Sequence, residues 1–153
     1  MSSREDKLRE LGLHLPEVAK PLAAYVPAVR TGNLVFVSGQ LPMVDGKLPL
    51  TGKVGAEVSA DQAKGLAQRA ALNAIAAAAA EAGGIDRITR VVKVTGFVAS
   101  TPDFSGHPGV INGASELIGA VFGDAGAHAR AAVGVAALPL DAPVEVEMIV
   151  EVD

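Results

Sequence analysis

A chain of 153 residues with a formal net charge of −4 and no basic run lacks the cationic surface that neutralises nucleic-acid phosphates. Half of its residues are hydrophobic but only 3% are aromatic, so Ala, Val and Leu must fill the core, and stacking platforms for single-stranded bases are missing. With no cysteine, disulfides, thiolate catalysis and zinc–thiolate clusters are excluded. The stretch Met1 to Glu10 is charged and has no apolar signal core, and the Ala-rich run carries Gln, Arg and Asn, unlike a membrane span. A cytoplasmic location is the expectation. Ser3, with Asp6 three residues on, makes a capping-box pattern that opens a short helix to about Leu11, stopped by Gly12. Pro16 and Pro21 then hold the chain extended. Residues 1–20 read as an N-terminal extension of a single domain, 21–153.

Tyr25 to Arg30 and Leu34 to Ser38 read as two strands around the turn Thr31-Gly32-Asn33. The apolar run Leu34-Val35-Phe36-Val37 predicts a buried strand that runs out at Ser38-Gly39-Gln40-Leu41-Pro42, where a glycine lets backbone approach a ligand closely. Asp45-Gly46 and Thr51-Gly52 mark a loop. Ser59 and Gln62 form a fuller capping box and open the longest helix, which runs to about Ala82 and ends at Gly83-Gly84. Ala63, Leu66, Ala67, Ala70, Ala74, Ala77 and Ala78 form one stripe of this helix, so its axis can lie close to a sheet. Leu72 and Ile75 fall outside the stripe, which predicts cover on part of a second face. A strand from Ile88 to Ala99, a turn at Ser100 to Asp103, and a helix from about Pro108 to Phe122 follow. The helix ends at Gly123 to Gly126.

The last quarter, His128 to Pro139 and Val144 to Glu151, reads as a hairpin closed by the turn Leu138 to Pro143. Strand alternation then puts Ala131, Val133, Val135, Val144, Val146, Met148 and Val150 on a helix-covered face. Arg130, Ala132, Gly134, Ala136, Glu145, Glu147 and Glu151 share the other. The order β-β-α-β-α-β-β predicts an α+β two-layer sandwich with both main helices on one face of a mostly antiparallel sheet. In a monomer the Arg130 face would be open, and other subunits covering its Ala132, Gly134 and Ala136 is the economical solution.

No phosphate-binding glycine loop is present, and His14, His107 and His128 lack metal-ligand spacing. His128 shares a face with Arg130 and flanks it, though a wet histidine at a strand end is the plainer reading. Ser38 has no histidine near it in sequence, so no nucleophile triad is readable. Tyr25, the single tyrosine, reads as a boundary residue or as the closure of a small pocket. Asp103, Phe104 and Asn112 read as turn, core and helix residues. Arg130 is the strongest candidate, because its planar fork binds carboxylates bidentately and stays charged when partly desolvated. Glu145 or Glu147 can hold a water or exchange protons. The competing reading is a structural salt bridge, within the sheet or between subunits, from Arg130 to one of these glutamates.

The segments Arg130-x-x-Val133, Leu138-Pro139 and Val144-Glu145-Val146-Glu147 resemble the C-terminal signature of the reactive intermediate deaminase (Rid, or YjgF-like) family. Tyr25-Val26, Gly32-Asn33, Ser38 to Pro42, Lys93 to Val98 and Asp103-Phe104 stand in the same order as in that family, so the resemblance spans about Tyr25 to Val152. It implies a chorismate-mutase-like fold, a homotrimer with clefts between subunits, and hydrolysis of reactive imines and enamines to 2-ketoacids and ammonia without metal or organic cofactor. It implies that Arg130 grips the substrate carboxylate, that Glu145 positions water, and that Tyr25 and the backbone at Gly39 complete the cleft. Ser38, Phe97 and Asn112 join the implied substrate-binding set. Ala132 stands where the family often has Cys or Ser, and residues 1–20 and the loop from Asp45 to Ser59 are longer than in the compact deaminases, as in a divergent subgroup. Two other readings stand beside the deaminase: a non-catalytic sensor of small carboxylates, and an endoribonuclease, a label some relatives carry. The acidic balance and the scarcity of aromatics disfavour the ribonuclease.

Overall fold

The computed structural model describes residues 3–153. In chain order it contains α1 (Arg4–Glu10), β1 (Ala28–Thr31), β2 (Leu34–Gln40), α2 (Ala60–Ala82), β3 (Ile88–Ala99), α3 (His107–Phe122), β4 (Ala129–Val135) and β5 (Val144–Val152). Both capping boxes form: Ser3 with Asp6 opens α1, and Ser59 with Gln62 opens α2, each with its side chain and backbone bonded reciprocally. Gly32, at φ 59°, takes the left-handed turn between β1 and β2 that a side chain would resist. Against expectation, Tyr25 lies outside the first strand, which begins only at Ala28; Pro27, with no N–H to give, sits at its threshold. β2 runs past the predicted end at Ser38 to Gln40.

The five strands form one sheet in the order β1-β2-β5-β3-β4, antiparallel except for the β3–β4 pair. The expected hairpin between the last two strands does not exist. β4 lies parallel to β3 at the sheet edge, and β5 is inserted between β2 and β3. Two physical reasons decide this. The β3–α3–β4 passage is a strand–helix–strand crossover, and such a unit brings its strands side by side and parallel. β5 alternates a bulky apolar residue with every acid, and that row finds full cover only at the sheet centre, where Val144, Val146, Met148 and Val150 are buried.

The register then inverts β4. Residues paired across strands share a face. Met148, Val94 and Arg130 form one row, and Glu145, Phe97 and Val133 form another. Arg130 therefore lies on the helix-covered side, opposite Glu145, against expectation. Ala132 and Gly134 are also on that side; a Cβ on Gly134 would come within 2.5 Å of His107 Nε2 on α3. The open face instead carries Val29, Phe36 and Val133, which are 52%, 43% and 44% exposed.

α2 is buried on two sides. Ala71 through Ala79 are all inaccessible, including Leu72 and Ile75. One side packs on β2 and β5 and another on α3. The extension closes the helical layer: Leu8 is buried, Arg4 stacks 5.4 Å from the centre of the Phe122 ring, and Leu13, Leu15 and Val18 pack on the core. The α2–α3 approach needs Gly113, because a Cβ there would strike the Lys64 carbonyl, whereas Gly119 in the same helix faces open space. Gly113→Ala is expected to destabilise by about 1–3 kcal/mol through overpacking. Gly119→Ala should stabilise by about 0.5–1 kcal/mol through helix propensity. Thermal melts of the two variants check the contrast; equal shifts would refute the close contact.

Candidate functional site

The candidate residues fall into two groups on this chain. The first is built around a bulge in β2. Val37 pairs with Met148 and Gln40 with Val146, so β2 spends one more residue than β5 over Ser38-Gly39. Bulges re-aim side chains and backbone. Here the bulge sets Gly39 against the Glu145 carboxyl so closely that any Cβ at Gly39 would collide with it. Burial, and next the charge of Glu147, push the Glu145 carboxyl above its ordinary value of 4.5. It has no hydrogen-bond or ion-pair partner among the described residues. It faces a cleft of about 50 Å³ whose lining includes Leu22, Tyr25, Gly39, Gln40 and Pro139. The Tyr25 hydroxyl accepts a hydrogen bond from the Leu22 N–H at 3.3 Å, which pins the end of the extension to the cleft rim. The Ser38 hydroxyl donates to the Val26 carbonyl at 2.6 Å and so holds the approach to β1. Behind the cleft, Asn73 Nδ2 donates to the carbonyls of Leu41 and Met43, both at 3.0 Å, and Arg69 Nε donates to the latter at 2.9 Å. The buried amide on α2 thus fixes the chain that leaves β2.

The second group sits between β4 and α3. Arg130 Nη1 donates to Asn112 Oδ1 at 2.8 Å and to Ser115 Oγ at 3.3 Å, and Nη2 donates to the Pro108 carbonyl at 3.4 Å. A guanidinium has five N–H donors. Nε–H and one Nη2–H are left without a partner among the described residues, and Nε and Nη2 border the same edge of the fork. That edge has the geometry of a bidentate carboxylate receptor. No acid pairs with it. The salt bridge to Glu145 or Glu147 within one sheet is thus overturned, since both glutamates point from the other face.

One chain does not bring Arg130 and Glu145 together: β3 runs between their strands, and they face opposite ways. Tyr25, Gly39 and Glu145 meet in the cleft. Ser38 adjoins it, Phe97 stands beside Glu145 on the open face, and Asn112 belongs with Arg130. His128 is not a wet strand-end side chain. Its Nδ1 lies 2.6 Å from the Gly126 carbonyl and its Nε2 2.9 Å from Ser115 Oγ. Ser115 went unread in the sequence, although it lies three residues after Asn112 on the same helix face. Among the described residues no three His, Asp or Glu side chains gather to hold a metal ion, and no helix is long and apolar enough to cross a membrane.

Two helices and a short third on one side of a five-stranded, mostly antiparallel sheet, with the cleft at a strand bulge, define a chorismate-mutase-like α+β protein. The chain belongs to the YjgF family: residues 5–152 match the family model described as "YjgF/chorismate_mutase-like, putative endoribonuclease". It is similar to the crystal structure of the protein Atu1372, of unknown function, from Agrobacterium tumefaciens. The two are 49% identical with a TM-score of 0.91, covering 99% of this chain and 94% of that one. It is 44% identical to Protein TCP17 of Trypanosoma cruzi, over 95% of this chain and 92% of the relative. It is 34% identical to the 2-iminobutanoate/2-iminopropanoate deaminase of Escherichia coli (strain K12), over 84% of this chain and 87% of that protein.

Proposed function

We propose that this protein hydrolyses reactive 2-imino and enamine acids to 2-ketoacids and ammonia, in clefts shared between the subunits of a homotrimer. One observation carries the reading: the two halves of such a site are complementary but separate. Arg130 offers a carboxylate receptor with no acid beside it, and Glu145 offers an acid with no cation beside it. A substrate that carries both a carboxylate and an electrophilic C=N needs both. The relatives named as imine deaminases support the class of reaction. The apolar open face of Val29, Phe36 and Val133 supports association, and it replaces the Ala132–Gly134–Ala136 face as the surface a partner subunit covers.

In this scheme Arg130 takes the carboxylate through its Nε–Nη2 edge. The Glu145 carboxylate draws a proton from a water held in the cleft beside Gly39, and the water oxygen attacks the imine carbon. Glu145 returns that proton to the imine nitrogen, giving a neutral carbinolamine; the carbinolamine hydroxyl proton then passes through Glu145 to the nitrogen as the C–N bond breaks, which releases ammonia and leaves the ketoacid carbonyl. The test generates 2-iminobutanoate in solution and follows its loss with and without the purified protein, with sedimentation of the same sample. The expected result is accelerated loss by a particle of three chains of 15.4 kDa. A protein that binds 2-oxobutanoate yet never exceeds the buffer rate is a carboxylate sensor instead, and a stable monomer at full thermal stability refutes the shared cleft.

A further inference from the structure

The guanidinium of Arg130 is held at one end by a chain of three hydrogen bonds that passes through two residues with no other evident task. His128 Nδ1 lies 2.6 Å from the Gly126 carbonyl, which only accepts, so Nδ1 carries a hydrogen. In a neutral ring Nε2 is then an acceptor, and the Ser115 hydroxyl, 2.9 Å away, donates to it. A serine hydroxyl has one hydrogen. Once that hydrogen points at His128, the oxygen turns its lone pairs toward Arg130 Nη1 at 3.3 Å. Asn112 Oδ1 takes the other Nη1 hydrogen at 2.8 Å. Nη1 is thereby saturated, and the fork cannot turn about its long axis without losing both partners. What it turns outward is the Nε–Nη2 edge.

We propose that Ser115 and His128 are positioning residues that fix the Arg130 fork for side-on recognition of a carboxylate. The inference rests on Arg130 as the carboxylate receptor, as proposed above, and it explains how a receptor on an edge strand is kept rigid. β4 has a neighbour on one side only, and the residues around Arg130 within it, Ala129, Ala131 and Ala132, have no bulk to wedge a long side chain. Fixing such a side chain before the ligand arrives removes part of the ordering cost of binding. Packing cannot do this here, so hydrogen bonds from α3 do. His128 acts at one remove: it sets which way the serine hydroxyl points, and the serine sets the arginine.

The test uses the full chain, with Ser115→Ala, Ser115→Thr and His128→Phe beside the wild type. Two readouts are taken: affinity for 2-oxobutanoate by calorimetry, and exchange broadening of the Arg130 side-chain N–H signals by NMR without ligand. Ser115→Ala is expected to weaken ketoacid binding about 2- to 10-fold, the ordering cost of one long side chain, and to average the Nη signals that are distinct in the wild type. Ser115→Thr keeps the hydroxyl and should retain both properties. His128→Phe should lie between, since the hydroxyl survives but loses its orientation. A merely structural role would lower the melting temperature without changing the Nη signals of the folded protein. Wild-type affinity and wild-type Nη signals in Ser115→Ala would overturn the proposal. If the wild type itself binds no ketoacid, the functional reading falls, and the NMR arm still decides: freely rotating Nη groups in the wild type refute the positioning, and restricted groups released by Ser115→Ala uphold it.

Discussion

Replacing Arg130 with lysine should weaken 2-oxobutanoate binding by about 1.5–3 kcal/mol, the worth of a hydrogen bond to a charged group, and replacing it with alanine should abolish binding. Lysine keeps the positive charge but is a single point of contact, and it cannot present two parallel N–H groups. The geometry makes the demand specific. Among the described residues the Arg130 Nε–H and one Nη2–H have no partner, while the other donors are taken by Asn112, Ser115 and Pro108. The side chain holds no acid, so its removal orphans no buried carboxylate, and the assembly should persist in both variants. Calorimetry and sedimentation on the same samples check this. Unchanged affinity in Arg130→Ala would remove Arg130 from the site.

Glu145→Gln should retain ketoacid binding and lose imine hydrolysis by about 10²-fold or more, the scale of a general acid–base group. The working form is the carboxylate. Its proton affinity is raised by burial and by Glu147, so wild-type kcat/KM should climb with pH through an inflection above the ordinary 4.5. Glu145→Gln should lose that limb. The stability sign follows from the same shift. A carboxyl whose folded-state pKa lies above its unfolded value penalises the fold once it is ionised; the penalty is absent below 4.5 and complete above the raised value. The variant should therefore melt no lower than the wild type at neutral pH. A flat pH profile in the wild type, or full activity in the variant, would dismiss Glu145 as the group that handles water.

The helices were legible because their signals are local. Ser59 with Gln62 and Ser3 with Asp6 fix starts, and Gly83 fixes an end with its left-handed backbone. β5 was legible as a strand because its alternation is strict. Its neighbours were not legible. The stretch from Ala136 to Pro143 is short enough to pass for a hairpin loop, yet it carries the chain past the end of β3, with Leu140 and Asp141 both at φ 58°. β4 hides its own orientation. Val133 and Val135 look like core beside Ala132 and Gly134, but α3 already fills the space on that side with Ile111 and His107, so only residues without bulk fit beneath it. The family resemblance pairs Arg130 with Glu145 by role, and nothing in a linear motif says that the two point away from each other. Ser115 was invisible for a different reason: a serine in a helix is ordinary until a histidine and an arginine from another strand are seen to converge on it.

The last of the described strands in chain order lies at the middle of the sheet. β1 and β2 on one side, and β3 and β4 on the other, are hydrogen-bonded to each other through β5 alone. While the chain is being made, the two halves exist without their common spine, each showing a bare strand edge, and elongation at about 5–20 residues per second sets how long that lasts. Exposed edges are where strands of different chains pair wrongly. Until β5 pairs, α2, which packs on β2 and on α3, is what joins the two halves, and the bare edges leave this stage the most open to wrong pairing.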